Sequence, residues 1–442
     1  MSIQPLKITI PGYYDREVAY VLYVCLTQHL GIEKYILERK EHTDFIFEGP
    51  NGKLTIANTF FSDITTFPFH PKNIPSQFFE VNIPGHPDTI CALFGNDQVA
   101  HEQNEMYLGA DIIAGTFLLL TQWDVAISAR DDLGRVKLSE SAIGKLGLYH
   151  RPLVNEYIAC LAYLLNGIGV QIRTREYHPV FSCDVDSVQK YKNIRNLAGA
   201  IYHSDWKWSE WQKIRNRYFK ARKNIKEDPY FSFDYLLSKL KETGLDATFY
   251  FMTGTTHSTY DHRDYELSNA EMVQVVKKIQ SDGYHIGLHP SFESSTSMDT
   301  LINEKEKLDQ ATGMEITSVR QHYLRYQPGK TWTMQEEAGF FIDSSVQYTE
   351  GMGFATGICT PYRLYDLESR RMLQLTEEPL ILMKKKDYVR DVESQFFANK
   401  KILDQAKKHK GRFQILFHNS DVETENEKIL FDETLKYLAQ KP

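Results

Sequence analysis

The sequence predicts an α/β protein in which a C-terminal distorted (β/α) barrel follows a smaller α/β domain with a helical connector. Three observations carry this reading. The chain has 442 residues, more than one hydrophobic core usually serves. From about residue 175 onward, short apolar strands alternate with helix-length segments, the pattern of parallel βαβ units. The ends of those strands carry ionisable side chains, where the working residues of such barrels collect.

Residues 1–110 alternate short apolar runs with turn-rich stretches such as Pro71-Lys72-Asn73 and read as the small α/β domain, with one helix expected within 18–40. Residues 111–174 are more helical and form the connector, interrupted by a polar turn from Ser128 to Gly134. The barrel half, 175–442, opens with a strand over 177–183. Helices are then expected over 233–243, 268–280, 298–311, 331–338 and 392–409, most of them stopped by a glycine. Ser268 and Glu271 have the capping-box spacing for the second of these. Strands fall between them at 247–251, 284–288, 318–321, 340–342 and 413–417.

Composition narrows the function classes. Fifty-one basic against 58 acidic residues give a net charge of -7, which argues against nucleic acid as a partner. Lys384-Lys385-Lys386 reads as a solvated turn. The N-terminal residues lack a secretory pattern, and no run approaches the roughly 18 apolar residues of a membrane span. Five scattered cysteines without a CxxC fit reduced, mostly buried thiols. A cytoplasmic protein is expected.

The strand ends read Asp184-Val185-Asp186, His289-Pro290, Arg320-Gln321-His322, Asp343-Ser344 and His418-Asn419. Asp184 and Asp186 point to one side of an extended segment, where two carboxylates repel unless a cation or proton intervenes. His285 and His289 are four apart, but on a strand that is about 13 Å, too far to share an ion. His289, at the strand end, is the better ligand. Beyond Pro290 the chain can turn, so Glu293 can fold back beside it, and His322 offers a further imidazole. Carboxylate plus imidazole ligands suit a divalent metal, zinc first, with a position open to water. His418 is placed to protonate a leaving group. Arg320 and Tyr323 are candidates to position substrate or an oxyanion, and Asp343 is a helper carboxylate or a local cap. Between the first two strands, Trp206, Trp208, Trp211, Tyr218 and Phe219 read first as core packing and second as a sugar-stacking surface.

The ordered motifs FSCDVD, ATFYF, DGYHIGLHPSF, SVRQHYLRY, FFIDSS and ILFHN, over roughly 175–425, resemble the polysaccharide-deacetylase (NodB-homology) family, in its divergent branch with an additional N-terminal domain. The resemblance implies a barrel of that type and metal-assisted hydrolysis of an N-acetyl group on an amino sugar or glycan precursor, releasing acetate. It implies Asp184 as general base, Asp186 and His289 as metal ligands, and His418 as general acid. Arg320 and Tyr323 correspond loosely to its substrate-binding motif. Glu293 stands where a second histidine is usual. Either Glu293 or His322 then completes the metal shell, or the metal and the hydrolysis have been lost. Two alternatives follow: a catalytically silent carbohydrate-binding or assembly protein, and a hydrolase of a non-sugar linear amide. The N-terminal half carries no chemical motif, and shaping the cleft, binding a partner or forming a homo-oligomer all remain open to it.

Overall fold

The structure is a computed structural model and describes residues 5–41, 43–62, 69–202, 208–254, 259–349, 351–384 and 391–442. Short strands of aliphatic and aromatic residues, buried along nearly their whole length, build the C-terminal half, as expected where helices cover one face of a parallel sheet and barrel packing the other.

The N-terminal half holds a six-stranded mixed sheet. Its strands are β1 (Leu6–Pro11), β2 (Tyr35–Lys40), β3 (Phe45–Gly49), β4 (Gly52–Ile56), β7 (Gly95–Glu102) and β8 (Glu105–Ala110), in the order β2-β1-β3-β4-β8-β7. A separate pair, β5 (Phe79–Val81) and β6 (Ile90–Ala92), lies between them in sequence. The single helix expected over 18–40 is instead α1 (Asp15–Leu22) running into a π-helical segment, Tyr23–His29, before β2. The connector supplies α2 (Ile112–Thr121), short α3 (Trp123–Ala126) and α4 (Ala142–Lys145), and α5 (Leu153–Gly167). Every residue of α2 is buried, which explains its uninterrupted apolar sequence.

The barrel sheet is built from β9 (His178–Val185), β10 (Asp246–Phe251), β11 (His285–Leu288), β12 (Ser318–Val319), β13 (Ile342–Asp343), β14 (Tyr362–Asp366), β15 (Arg371–Glu377), β16 (Leu380–Met383) and β17 (Arg412–His418). Their order is β14-β15-β13-β12-β11-β10-β9-β17-β16, parallel except for the β14–β15 hairpin. The sheet curls without closing by edge-to-edge hydrogen bonds. One run of chain joins its two sides, since β15 pairs with β13 and β16, three residues on, pairs with β17. Around it lie α6 (Ile194–Tyr202), α7 (Trp208–Lys223), α8 (Phe233–Thr243), α9 (Ala270–Ser281), α10 (Met298–Thr312), α11 (Lys330–Glu337), α12 (Val392–Lys408) and α13 (Glu425–Ala439). Among the described residues no helix is long and apolar enough to cross a membrane.

Several local expectations change. Asn269, not Ser268, precedes α9, and it makes no side-chain cap, so the capping box does not form. Lys384 is buried and paired with Asp421 and Glu427 rather than solvated, while Lys385 and Lys386 lie outside the described residues. Trp208 and Phe219 are exposed instead of packed in a core; only Tyr218 of that aromatic group is buried, and Trp206 lies outside the described residues. All five cysteines are free and buried.

The two halves meet along the stretch that precedes and includes the β14–β15 hairpin. The Val24 carbonyl, 2.8 Å away, requires a proton on Nδ1 of His29, so its Nε2 accepts from the Thr360 hydroxyl at 2.6 Å. Burial, helped by Arg175, pulls this imidazole down to about 3 from 6.5. Below pH 6.5 the unfolded chain therefore takes up a proton that the folded chain refuses, and stability falls as pH drops from 6.5 towards 3. A His29→Gln variant should lose part of that slope. Urea midpoints at pH 7 and pH 5 will lie closer together in the variant than in the parent if His29 is a main contributor.

Candidate metal and catalytic site

The C-terminal ends of β9, β11, β12 and β17 place five of the predicted residues around one point. β9 delivers Asp184 in its last turn of pleat and Asp186 just past its end. β11 ends at Leu288, and His289 follows, its backbone N–H tied to the Phe251 carbonyl. His322 comes from the turn after β12, where Tyr323 and Leu324 both adopt left-handed backbone angles, φ 59° and 53°. Two such non-glycine residues in succession are costly, and they turn the chain just after His322. His418 closes β17, in register beside Asp184.

Asp186, His289 and His322 present one ligand atom each, all within 4.8 Å of one another. Oδ1 of Asp186 is buried with no hydrogen-bond partner and faces Nε2 of His289 at 3.3 Å and Nδ1 of His322 at 3.9 Å. The two imidazole nitrogens are 2.9 Å apart. Behind each ring a backbone carbonyl fixes the tautomer. Nδ1 of His289 donates to the Arg320 carbonyl at 2.7 Å, which leaves Nε2 as a lone pair aimed inward. The far side of His322 bonds the Tyr260 carbonyl, with Oδ1 of Asp261 3.9 Å from its Nε2. An orphaned buried carboxylate oxygen facing two inward lone pairs fits a divalent cation, and outer partners that orient the rings are what such sites carry. Burial disfavours the Asp186 charge, yet the three surrounding histidines hold its carboxyl well below the usual range.

Asp184 and His418 flank the cluster. Oδ1 of Asp184 accepts from Arg320 at 3.0 Å, so its Oδ2 is the oxygen that faces the site, 3.8 Å from Nε2 of His289. His418 is anchored on both sides of its Cα: its backbone N–H and its Nδ1 bond Oδ2 of Asp421, at 2.7 and 3.0 Å. Its Nε2 therefore points inward, 3.7 Å from Oδ2 of Asp186. Burial opposes charging this ring, but Asp421, Asp186 and Asp184 outweigh it and lift the imidazole to about 9.

The remaining predicted residues sit elsewhere. Glu293 is exposed, on the short 3-10 turn Phe292–Ser295, outside the ligand cluster; the chain after Pro290 turns outward, and His322 occupies the third position. Arg320 does not face a substrate. It is fully buried, and all five of its N–H donors are engaged: by Ser182 and Asp184 on β9, twice by Ser344 after β13, and by Gln414 on β17. The guanidinium rests 4.4 Å from the centre of the Tyr250 ring, which fits only because residue 287 is glycine: a Cβ there would lie 2.5 Å from that ring. Asp343 is likewise sealed in, bonded to Ser345, Gln335 and Glu377, and burial pushes it up to about 6. It helps hold the core rather than touching solvent. Tyr323 does reach the rim, half-buried, with its ring 4.3 Å from that of His322 and its hydroxyl on the Tyr260 carbonyl.

Asp261 and Asp421 had no role in the sequence reading. Asp421 follows His418 by three residues, a spacing that a turn after the strand turns into contact. For Asp261, in the loop after β10, the linear sequence offers no comparable signal.

Residues 6–169 match a family of unknown function, DUF7033. A search of the curated proteins found no match. Among solved structures, the chain is similar to candidate polysaccharide deacetylases from Mycobacterium smegmatis (14% identity, 60% of this chain and 85% of that one, TM-score 0.39) and Pseudomonas aeruginosa PAO1 (12%, 58% and 84%, 0.37). It is also similar to the Puue allantoinase (12%, 58% and 83%, TM-score 0.36). The chain thus joins an N-terminal region that matches a family of unknown function to a C-terminal curled parallel sheet that carries the candidate site.

Proposed function

We propose that this protein is a metal-dependent hydrolase that removes an N-acetyl group from an amino sugar or glycan precursor, releasing acetate. The observation that carries the proposal is the unpartnered, buried Oδ1 of Asp186, facing the inward nitrogens of His289 and His322 between Asp184 and His418. Asp186, His289 and His322 would hold the ion, with zinc the first expectation for two imidazoles and one carboxylate. When bound, it supplies Lewis acidity and an acidified water.

The side chains around it divide the proton work. Arg320 occupies one oxygen of Asp184 and leaves the other free to accept a proton from an attacking water. His418, lifted to about 9, is charged at neutral pH, with the proton on its inward Nε2 ready for the departing amine. A carboxyl oxygen placed to accept a proton and an imidazolium placed to donate one are the pair that amide hydrolysis needs. Tyr323, Tyr260 and Phe292 form an aromatic cluster at the rim beside His322, a surface suited to the apolar face of a sugar ring.

The metal is tested first. Protein stripped of metal and titrated with zinc should bind about one equivalent, as expected for a single three-ligand site. His289→Ala and His322→Ala should abolish that binding, while Glu293→Ala should bind as the parent does. Retention by both histidine variants would sink the site.

Activity is read as acetate released from N-acetylated amino sugars and short oligomers. Asp184→Asn and His418→Ala are each expected to lose at least roughly 100-fold in kcat with zinc still bound. Zinc binding without turnover on any of these, but with saturable binding of the sugars, would instead favour a silent carbohydrate-binding protein. Turnover of simple linear amides alone would favour the non-sugar hydrolase.

Arg320→Met removes one half of a buried ion pair and leaves Asp184 stranded. A loss of about 3 kcal/mol in unfolding free energy is expected from urea denaturation. The exposed Lys213→Ala should change it by less than about 0.5 kcal/mol.

A further inference from the structure

The α6–α7 hairpin inserts between β9 and α8, so it rises from the barrel end that carries the site. Its base is tied to that site. Asn419, next to His418, donates to the carbonyls of Ser187 and Tyr230 on either side of the insertion, at 2.8 and 2.6 Å. Asp228 accepts from the backbone N–H groups of Lys190 and Tyr191 at 2.8 and 3.1 Å, drawing the two feet together. Beyond this base little of the hairpin is buried. No described side chain of α6 is buried, and on α7 only Tyr218 is, against Tyr191.

The outer surface of α7 has a composition unlike the rest of the chain. Its 16 residues contain Lys213, Arg215, Arg217, Lys220, Arg222 and Lys223 against Glu210 alone, in a protein of net charge -7. Trp208 is 68% exposed and Phe219 55%. Eleven residues are three helical turns, so the two rings share one stripe, about 16 Å apart along the axis. Arg215 and Arg222 border that stripe on one side and Lys223 on the other. Ile194, at the start of α6, is 70% exposed.

We propose that this hairpin docks the protein on an anionic lipid surface, with Trp208 and Phe219 in the headgroup layer and the flanking arginines and lysines on the phosphates. Charge complementarity selects an anionic partner. An exposed stripe with widely separated rings fits a continuous interface better than a shaped pocket or a stack of bases. An amphipathic basic helix with exposed aromatic residues lies in such an interface without crossing it. Docking there holds the mouth of the barrel at the lipid surface, where a lipid-borne substrate would be presented. The membrane interaction itself does not depend on which reaction the site performs.

The test is sedimentation of the full chain with phosphatidylcholine vesicles and with equimolar phosphatidylcholine–phosphatidylglycerol vesicles. Binding is expected to the second and not the first, and to weaken as salt is raised. Arg215→Glu with Arg222→Glu, and separately Trp208→Ala with Phe219→Ala, should each cut partitioning by roughly tenfold. Both pairs are exposed and neither includes a member of the metal cluster, so zinc binding should be unchanged and reports that each variant is folded. Absence of binding to either vesicle would overturn the proposal, as would binding that both variants retain. Capture of single-stranded RNA with no affinity for vesicles would overturn it in favour of a nucleic-acid surface.

Discussion

A guanidinium in the middle of a barrel has no water to fall back on, so every group around Arg320 is constrained by it. Its five donors require five acceptors, and Ser182, Asp184, Ser344 and Gln414 supply them from β9, β17 and the turn after β13. The ring of Tyr250 on β10 lies beneath, and Gly287 on β11 makes room for that ring. Even the Arg320 carbonyl is used, as the acceptor that fixes the His289 tautomer. One residue therefore orients Asp184, the proposed base, through its side chain and His289, a proposed metal ligand, through its backbone. A buried ion pair adds little net stability over a well-packed apolar core, but losing one partner is severe. Such an arrangement favours unique geometry over bulk stability, which is what the floor of the proposed catalytic site requires.

Below the guanidinium, Asp343 and Glu377 form a second acidic layer. Burial pushes Asp343 up to about 6, and burial together with the Asp343 charge pushes Glu377 well above the ordinary carboxyl range. Two neighbouring carboxyls in a dry site share protons rather than both ionising. Of the carboxyls of Asp184, Asp343 and Glu377, that of Asp184 is the one the guanidinium contacts directly. Asp343, a strand-end acid like Asp184, is placed differently: its strand is two residues long, and its carboxyl is sealed among Ser345, Gln335 and Glu377.

Much of the site could be read from the sequence because strand ends are a strong positional constraint. Asp184, Asp186, His289, His322 and His418 all follow apolar runs, and the parallel sheet brings those run ends together. What the linear order could not reveal was direction. Arg320 and Asp343 also follow apolar runs, yet they point into the barrel, and one residue of register decides between inside and mouth. Glu293 was a reasonable third ligand by spacing, but His322 takes the place beside Asp186 and His289, just before a left-handed turn at Tyr323 and Leu324 that neither residue type advertises. The β14–β15 hairpin was missed for a related reason. Its turn contains no Asn-Gly or Asp-Gly signal, and Arg370 takes the left-handed angle, φ 53°. That turn is supported from outside, because Arg370 grips the fully buried Glu17 of α1 through two hydrogen bonds.

That last contact bears on why the N-terminal half is present. The curled sheet ends at β14, and an edge strand with free N–H and C=O groups needs a cover. Here α1, the π-helical segment and α2 lie against β14 and β15. Tyr20 donates to the Arg363 carbonyl, and Gln28 accepts from the Arg363 N–H. On the approach to that hairpin, Asn155 of α5 bonds Cys359 and Thr360, and Gln122 bonds the Ala355 carbonyl. One continuous apolar cluster runs from β1 through these helices into the barrel. Removing the first half would expose the β14–β15 edge, Arg370 and the underside of the segment leading to β14. β15 pairs with β13 immediately above Asp343 and leads into β16 beside β17. A disturbance at that edge is therefore separated from the Arg320 floor by only one strand, so the N-terminal half supports the geometry of a candidate site whose clustered ligands, among the described residues, all come from the C-terminal half.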